Sequence, residues 1–306
     1  MASGEKRRDV KVYDCFAFFN EFELLELRLR ELWDVVDYFV LVEGTRTFQK
    51  KEKPLLFEQN KKRFAKYSSK IIHIVVDKYP TFWTRFRPVT FWHYDNHQKE
   101  GALQGLKDAD PDDVVIFSDL DEIPLAAKVL EYKHKPGIRV FEQYQSYYFL
   151  NYVCKRINDY GGKAVAQRNR DGYGRWRGSV MLEKKLIKTI KDTRNYRDEE
   201  GPHITVIPDS GWHFSYMGGL ERVIFKIMNW THVEYSTPQY TEKKTLLDNI
   251  VAGRDPYGEG MRFELVDIAS SKLPFPEDLR KHPADWAALI RTPEELRAEA
   301  DRLLKN

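Results

Sequence analysis

Three carboxylates directly follow a short apolar run near the middle of the chain. Residues 113–124 read D-V-V-I-F-S-D-L-D-E-I-P, so Asp119, Asp121 and Glu122 come just after four strand-forming residues. Such a run is typical of a strand buried on both faces of a parallel sheet, and ligands of open α/β sheets bind beyond the carboxyl ends of the strands. Carboxylates there are ligands for Mg²⁺ or Mn²⁺, which share such sites with phosphate oxygens. An Asp-x-Asp spacing also arises by chance in a chain with 47 acidic residues, and the preceding strand is what favours a metal site at Asp119 and Asp121.

The composition is that of an ordinary globular protein and gives no sign of nucleic-acid binding. The 306 residues suffice for one large α/β domain or two small ones. Hydrophobic residues make up 42% and charged residues 32%, as in soluble domains. The net charge of +3 does not indicate a nucleic-acid-binding protein. The 14% aromatic share suits a site that stacks on sugars or nucleotides.

The cysteines and the hydropathy pattern bear on the cellular compartment. Cys15 and Cys154 are too few for a disulfide framework or a zinc site, and Cys15 is interpreted as a small core residue. No stretch approaches the ~20 apolar residues that span a bilayer, and the polar, basic N-terminus has no apolar signal core. We expect a cytoplasmic protein without a membrane span, although a chain that had lost an anchor would look the same.

Strand and helix patterns alternate ahead of the acidic run. The predicted order is strand, helix, strand, short basic helix, strand and helix, at 10–19, 21–33, 38–43, 59–67, 71–76 and 93–106. This alternation predicts a doubly wound α/β fold with a mostly parallel sheet. Pro124 is expected in the first turn of the next helix. We find no linker within 10–306, so we expect one domain with C-terminal helices after a disordered stretch at 1–9.

Aromatic residues dominate several segments around this core. Residues 79–92 are predicted to form a loop that covers a site, and 160–178, which includes Trp176, a binding loop or hairpin. The strand-like stretch 139–152 carries four tyrosines. These side chains could stack on acceptor sugars, although strand aromatics more often belong to the core. Further helices are predicted at 220–232, 241–252 and 291–305.

Other polar residues fall at predicted strand ends or in turns. Asn20 follows the first strand, where it could cap the next helix or border a nucleotide, and Glu43 ends the second strand. His213 lies among aromatic residues after a P-D-S-G turn. It is the candidate for a third protein ligand of the cation, and a structural histidine is the alternative. Diphosphate oxygens would complete the coordination.

Three motifs in this order resemble glycosyltransferase family 17. They are Y-D-C-F-A-F-F-N-E at 13–21, F-S-D-L-D-E-I-P at 117–124, and G-W-H-F-S-Y at 211–216 followed by Glu221 and Lys226. This is the family of the β-1,4-mannosyl-glycoprotein 4-β-N-acetylglucosaminyltransferase. The resemblance implies a GT-A-like fold with a nucleotide-sugar site at the carboxyl ends of the strands. It also implies a UDP-GlcNAc donor, Mn²⁺ or Mg²⁺, a glycan or glycoprotein acceptor and inversion at the anomeric carbon.

The resemblance also implies a role for each matching residue. Asp119 would contact the metal or the ribose, Asp121 would bind the metal, and His213 would complete the ligands. Lys226 would neutralise the departing diphosphate. The nucleoside would be bordered by Asn20, Glu21 and Glu43. The N-terminal anchor of the animal members is not recognised in this sequence, which leaves a different glycan acceptor open.

The transfer reaction needs a general base, and the sequence leaves its identity open. The candidate carboxylates in the second half are Glu142, Asp171, Glu183, Asp209 and Glu221. Glu221 is chosen because it lies in a family-like stretch, although it could simply complement the dipole at a helix start.

Two other functions would use the same acidic and aromatic residues. One is a metal-dependent nucleotidyltransferase or phosphohydrolase, and the other is a non-catalytic protein that binds glycans through its aromatic residues.

Overall fold

The computed structural model describes residues 9–47, 49–79, 90–157, 167–229, 232–258 and 260–304. Parts of five predicted segments lie outside the described residues. They are the disordered N-terminus up to residue 8, residues 80–89 of the covering loop, residues 160–166 of the binding hairpin, residues 230–231 of the helix predicted at 220–232 and residue 305 of the last predicted helix.

Strands and helices alternate through the first half of the chain, and strands dominate the middle. The strands are β1 (Val12–Phe18), β2 (Tyr38–Gly44), β3 (Ile71–Val76), β4 (Val114–Asp119), β5 (Glu122–Pro124), β6 (Ile138–Tyr147), β7 (Tyr152–Ile157), β8 (Gln167–Arg170), β9 (Tyr173–Glu183), β10 (Ile204–Ile207), β11 (Gly211–Ser215) and β12 (Met261–Leu265). The α-helices are α1 (Phe22–Leu32), α2 (Leu56–Asn60), α3 (Phe91–Glu100), α4 (Ala102–Gly105), α5 (Ala126–Tyr132), α6 (Ile190–Asn195), α7 (Leu220–Asn229), α8 (Pro238–Thr241), α9 (Lys243–Val251), α10 (Glu277–Lys281) and α11 (Pro293–Leu304). Short 3₁₀ helices lie at Lys61–Tyr67, Lys184–Leu186, Tyr196–Asp198, Val233–Tyr235 and Pro283–Leu289.

One sheet joins these strands, with the central order β12-β7-β6-β9-β4-β1-β2-β3. β3, β2, β1 and β4 form its parallel part. β9 runs antiparallel to both β4 and β6. The parallel strands, with helices in their connections, have the arrangement of a doubly wound fold. The predicted α/β class is therefore confirmed, and the architecture is compatible with a GT-A-like fold.

Both faces of β1 are covered, because consecutive side chains of a strand point to opposite sides of the sheet. Phe16 and Phe18 pack on one face in a cluster with Leu25 and Leu29 of α1. This contact uses the amphipathic face that the helical spacing of the apolar residues predicted. On the other face, Cys15 is buried and carries a free thiol. Cys15 is thus a core residue, as predicted.

A short strand that the sequence did not reveal joins the acidic stretch to the late part of the chain. β5 pairs antiparallel with β11, which also runs parallel to β6. This pairing places His213 opposite Glu122. Pro124 lies in β5, and α5 begins only at Ala126. The predicted position of Pro124 in a helical turn is therefore wrong, because the chain extends along β11 before it turns into α5.

The predicted strand at 139–152 is broken where the backbone turns. β6 ends at Tyr147, Tyr148 has a φ of 68°, and β7 begins at Tyr152. All three tyrosines are buried, and they pack together in one apolar cluster. They belong to the core, which is the alternative that the sequence left open. In the part of the chain that the structure covers, no helix is both long and apolar enough to cross a bilayer.

Candidate active site

A cavity of about 370 Å³ opens beyond the carboxyl ends of β1 and β4. Its walls come from α3, from α6 with the 3₁₀ turn that follows, and from β11 with α7. Nine charged side chains line it among the described residues: Glu21, Asp95, Lys99, Asp119, Asp121, Glu122, Arg194, Arg197 and Lys226. A cavity at this end of a sheet, with convergent polar groups, is where an α/β enzyme binds its ligand.

A buried arginine holds residues 119–122, here called the acidic loop, from beneath. Arg28 of α1 has no solvent exposure and donates to both carboxylate oxygens of Asp14, at 2.7 Å from Nε and 2.6 Å from Nη2. Its Nη1 also donates to the carbonyl oxygens of Asp119, Leu120 and Glu122 at 3.1, 3.2 and 2.9 Å. Because the guanidinium is a rigid, planar group, these bonds restrain the backbone that carries the acidic side chains.

Asp119 contacts basic side chains through both carboxylate oxygens. Lys99 Nζ lies 2.8 Å from Oδ1, and Arg194 Nη2 donates to Oδ2 at 2.6 Å. Lys99 Nζ also lies 2.9 Å from Asp95 Oδ1. Burial alone would raise the pKa of Asp119, but Arg194, Lys99 and Arg197 outweigh it and hold that pKa well below the ordinary range. Asp119 is therefore ionised at neutral pH.

Asp121 lies between a lysine and a histidine. Lys226 Nζ donates to Asp121 Oδ2 at 2.8 Å and to Ser215 Oγ at 3.1 Å. His213 Nε2 lies 3.8 Å from Asp121 Oδ1. Burial opposes ionisation of Asp121, yet Lys226 and His213 lower its pKa below the ordinary value. Asp121 in turn raises the pKa of Lys226, against the effect of burial.

Two of the three predicted metal ligands lie at a distance that one cation could bridge. Two ligands of one cation, each at about 2.1 Å, are separated by roughly 3 to 4 Å, which fits Asp121 Oδ1 and His213 Nε2. The third predicted ligand, Asp119, contacts Lys99 through Oδ1 and Arg194 through Oδ2. No group of three or more His, Cys, Asp or Glu side chains with metal-binding geometry occurs among the described residues. Asp121 and His213 fit a cation that takes its other ligands from a bound phosphate. The two side chains alone do not complete its coordination.

Trp176 connects His213 to the acidic loop. Its ring stacks on His213 with centroids 5.2 Å apart, and its Nε1 donates to Glu122 Oε1 at 2.7 Å. Glu122 Oε2 accepts from the backbone N–H of Asp119 at 2.9 Å, and Glu122 is 1% exposed. Glu122 therefore holds the loop and the indole together. Trp176 therefore supports His213 and also lines the cavity.

The two predicted residues after β1 lie beside the cavity. Glu21 lines it, and Asn20 lines a narrower apolar crevice of about 90 Å³ between α1 and α7. The two spaces share four residues, namely Phe19, Glu21, Tyr216 and Lys226. Asn20 does not cap α1, because Glu21 occupies the N-cap position and no side chain forms the cap hydrogen bond. The predicted capping role of Asn20 is thus wrong.

Glu43 lies away from the cavity, although it ends β2 as predicted. Its carboxylate is fully buried, accepts from the backbone N–H of Phe57 at 2.9 Å and lies 3.2 Å from His73 Nε2. The side chain therefore ties the start of α2 to β3. The carboxylate faces into the protein and does not line the cavity.

Glu221, the predicted base, also lies outside the cavity. Its side chain is 70% exposed and pairs with Lys243 at 2.6 Å. Lys226, five residues later on the same helix, faces the cavity instead. The four other candidate bases, none of which lines the cavity, are Glu142, Asp171, Glu183 and Asp209. Glu142, Glu183 and Asp209 each form ion pairs with nearby arginines.

Three basic residues of the site were not found from the sequence. Lys99 lies on a helix that was predicted, but no pattern distinguished it from other surface lysines. Arg194 and Arg197 lie in a short segment, D-T-R-N-Y-R at 192–197, for which no element was predicted. Only the packing of α6 beside α3 and β4 brings them to Asp119.

The fold and the cavity are typical of an α/β enzyme that binds its ligand at the strand ends, and comparison relates the chain to a glycosyltransferase family. The model of glycosyltransferase family 17 matches residues 2–153. This match covers just under half of the 306 residues, and the predicted resemblance to the family is confirmed.

Three curated mammalian proteins are similar over most of the chain. The human β-1,4-mannosyl-glycoprotein 4-β-N-acetylglucosaminyltransferase is 25% identical, with 74% of this chain and 44% of the relative covered. The proteins of the same name from Rattus norvegicus and Mus musculus are each 24% identical, with 77% of this chain and 46% of the relative covered. The chain thus spans less than half the length of the curated relatives that it matches.

Solved structures show only a slight likeness. HddC from Yersinia pseudotuberculosis superimposes with a TM-score of 0.37 at 11% identity, covering 68% of this chain and 91% of that one. A likeness of this size supports no inference about fold or function.

Proposed function

We propose that this protein transfers N-acetylglucosamine from UDP-GlcNAc to a hydroxyl of a glycan or glycoprotein, with inversion, a β-1,4-type linkage and a divalent cation. The observation that carries the proposal is the placement of Asp121, His213 and Lys226 together in the cavity beyond β1 and β4. The name that the mammalian relatives share supports the choice of sugar, linkage and acceptor.

The charge of the cavity supports a divalent cation. Five carboxylates and four basic side chains line it within the described residues, so it carries a slight negative charge before any ligand binds. A nucleoside diphosphate would add two or more negative charges in a partly buried space. Such a charge imbalance is costly in a medium less polar than water. A divalent cation bound with the diphosphate would offset it.

Asp121 and His213 would hold the cation, and Lys226 would lie beside it. Bound Mn²⁺ or Mg²⁺ supplies positive charge next to the leaving diphosphate. Lys226 would add a proton donor on the same side, because its Nζ already lies 2.8 Å from Asp121. The contacts of this lysine with Asp121 and Ser215 restrict its motion and orient it before the donor binds.

Glu21 is the carboxylate that we assign to the acceptor hydroxyl. The other four carboxylates of the cavity take part in ion pairs with basic residues. Within the described residues, the carboxylate of Glu21 accepts one hydrogen bond, from the backbone N–H of Asn20 at 3.0 Å, and forms no close ion pair. It also lies where the cavity meets the apolar crevice. An acceptor sugar that entered along the crevice would bring its hydroxyl to this carboxylate, which would take the proton.

Ligand binding followed by product analysis tests the proposal. UDP with Mn²⁺ should raise the melting temperature, whereas UDP or Mn²⁺ alone should do so much less. Incubation with UDP-GlcNAc and a mannose-terminated oligosaccharide should then add one N-acetylhexosamine by mass spectrometry. UDP-glucose and GDP-mannose serve as donor controls. Nucleotide hydrolysis without any transfer would favour a phosphohydrolase, and glycan binding that needs neither nucleotide nor metal would favour a glycan-binding protein.

A further inference from the structure

Arg194 lines the cavity with most of its hydrogen-bonding capacity unused. A guanidinium has five N–H donors, and the described contacts of Arg194 include one hydrogen bond, from Nη2 to Asp119 Oδ2 at 2.6 Å. Its Nη1 lies 3.7 Å from Asp95 Oδ2, beyond hydrogen-bonding distance. Its Nε is buried and has no hydrogen-bond partner in the described part of the chain. Since unpaired buried donors are costly, this side chain is suited to a ligand that accepts several hydrogen bonds.

Arg197 lies one turn further along and also has few hydrogen bonds among the described residues. Its Nη1 donates to Glu122 Oε1 at 3.4 Å, and its Nε lies 3.8 Å from Asp198 Oδ2. The guanidinium packs over Trp176, 5.1 Å from the ring centroid. Stacking on an indole restrains the plane of an arginine while leaving its edge donors available.

We propose that Arg194 and Arg197 bind the diphosphate of the nucleotide-sugar donor, and that Asp119 orients Arg194 for this role instead of binding the metal. The proposal rests on the proposed function, since it names the residues that recognise the donor in that same site. Paired arginines bind phosphate oxygens through two parallel N–H bonds, which an ammonium group cannot do.

Lys99 completes the support of Arg194 but does not take part in the binding. Its Nζ bonds both oxygens of Asp95, at 2.9 and 3.0 Å, and Asp119 Oδ1 at 2.8 Å. These contacts use the donors of an ammonium group. The four side chains of Asp95, Lys99, Asp119 and Arg194 form a charge-balanced chain of ion pairs. Asp119 is consequently held ionised and in place. Its two carboxylate oxygens are directed at Lys99 and Arg194 and not toward Asp121.

The alternative is that Arg194 only neutralises Asp119. The two roles respond differently to Arg194→Lys, because lysine retains the charge next to Asp119 but not the planar fork. A neutralising role predicts little change in nucleotide affinity. A phosphate-binding role predicts weaker binding of UDP with no effect on uridine, which has no phosphate.

Isothermal titration with UDP and with uridine, both in the presence of Mn²⁺, tests the assignment. Arg194→Lys and Arg197→Gln should each weaken UDP binding roughly 10- to 100-fold, the range expected for hydrogen bonds to a charged group. Uridine binding should stay within about twofold. Arg168→Gln is the control, since Arg168 lies on β8, is 43% exposed and pairs with Glu200 away from the cavity. It should leave both affinities unchanged.

Asp119→Asn provides a second test, of the orienting role of Asp119. If Asp119 orients Arg194, this variant should weaken UDP binding about as much as Arg194→Lys, and the double variant should lose little more. Its affinity for Mn²⁺ without nucleotide should match that of the parent. A tenfold or larger loss of Mn²⁺ affinity would make Asp119 a metal ligand and overturn that part of the proposal.

The outcomes separate this inference from the function on which it rests. If UDP binds the parent, Arg194→Lys and Arg197→Gln equally, the arginines do not hold the diphosphate, and the proposed function stands. If no nucleoside diphosphate binds the parent, both proposals are wrong. Should Arg194→Lys fail to fold, Arg197→Gln carries the same test, because Arg197 pairs with Glu122 and stands outside the ion-pair chain of Asp95, Lys99, Asp119 and Arg194.

Discussion

Asp121→Asn is the substitution that most directly tests the candidate metal centre. The change keeps the shape of the side chain and removes the negative charge that His213 and Lys226 face at 3.8 and 2.8 Å. Breaking a fully buried ion pair costs about 3–5 kcal/mol. Lys226 retains Ser215 as a partner and is 27% exposed, so we expect a loss nearer ~2 kcal/mol in the free energy of unfolding.

The effect on ligand binding should be larger than the effect on folding. At a hundredfold excess over its dissociation constant, a ligand stabilises the folded state by about 2.7 kcal/mol. The unfolding entropy of a chain of this length is roughly 0.6 kcal/mol per kelvin, so the parent should melt about 4 °C higher with UDP and Mn²⁺. Asp121→Asn should melt about 3 °C lower than the parent without ligand, and it should lose the Mn²⁺-dependent part of the shift.

Thermal melting of parent and variant with UDP, Mn²⁺ or both is the assay. Asp209→Asn is the control, because Asp209 is also paired with arginine but lies outside the cavity. Its φ of 50° is one that asparagine tolerates. The control should keep the full ligand shift. If Asp121→Asn also kept it, Asp121 would not be a ligand, and the cation would have to bind elsewhere.

Three further changes test the surroundings of the site. Arg28→Met leaves Asp14 buried without its partner and should lower the free energy of unfolding by about 3–5 kcal/mol in urea titrations; a loss under about 1 kcal/mol would contradict the role of Arg28 in holding the acidic loop. Burial raises the pKa of Glu31 to about 7, although the backbone N–H of Ala126 acts in the opposite direction. The folded state therefore keeps a proton that the unfolded chain loses above its ordinary pKa of 4.5, and stability falls as the pH rises from there to about 7. Glu31→Gln should be more stable than the parent at pH 8, by up to about 3 kcal/mol, and equal to it near pH 4; a pH-independent difference would refute this explanation. Glu21→Gln should slow single-turnover transfer about 100-fold or more while leaving UDP affinity nearly unchanged, and an unaltered rate would exclude Glu21 as the base.

The parts of the fold that depend on short-range pattern were predictable. One example is the apolar run of β4, which acidic residues follow, and another is the helical spacing of Leu25 and Leu29. Each pattern reflects a single element that buries a face. Elements that depend on a distant partner were missed. β5 is a three-residue strand that exists because β11 pairs with it, and nothing local distinguishes Glu122–Pro124 from the start of a helix.

The site residues follow the same division. Asp119 and Asp121 were found because strand ends can be located from sequence, whereas Glu43 was placed at a strand end correctly but faces into the protein. Glu221 and Lys226 lie on one helix, and only the packing of α7 determines which of them faces the cavity. Sequence spacing gives the faces of a helix but not their orientation in the fold.

The α/β class, the acidic loop at the end of β4 and the resemblance to glycosyltransferase family 17 could all be inferred from the residues alone. These features are encoded in runs of neighbouring residues, since burial of a strand and the turn after it are local properties. The charges that surround the acidic loop, in contrast, are set by tertiary packing. His213, Lys99 and Arg194 come from three separate parts of the chain, and their approach to the two aspartates depends on β11 pairing with β5 and on the packing of α3 and α6. Electrostatic interactions depend on distance in space and burial, which sequence spacing does not specify.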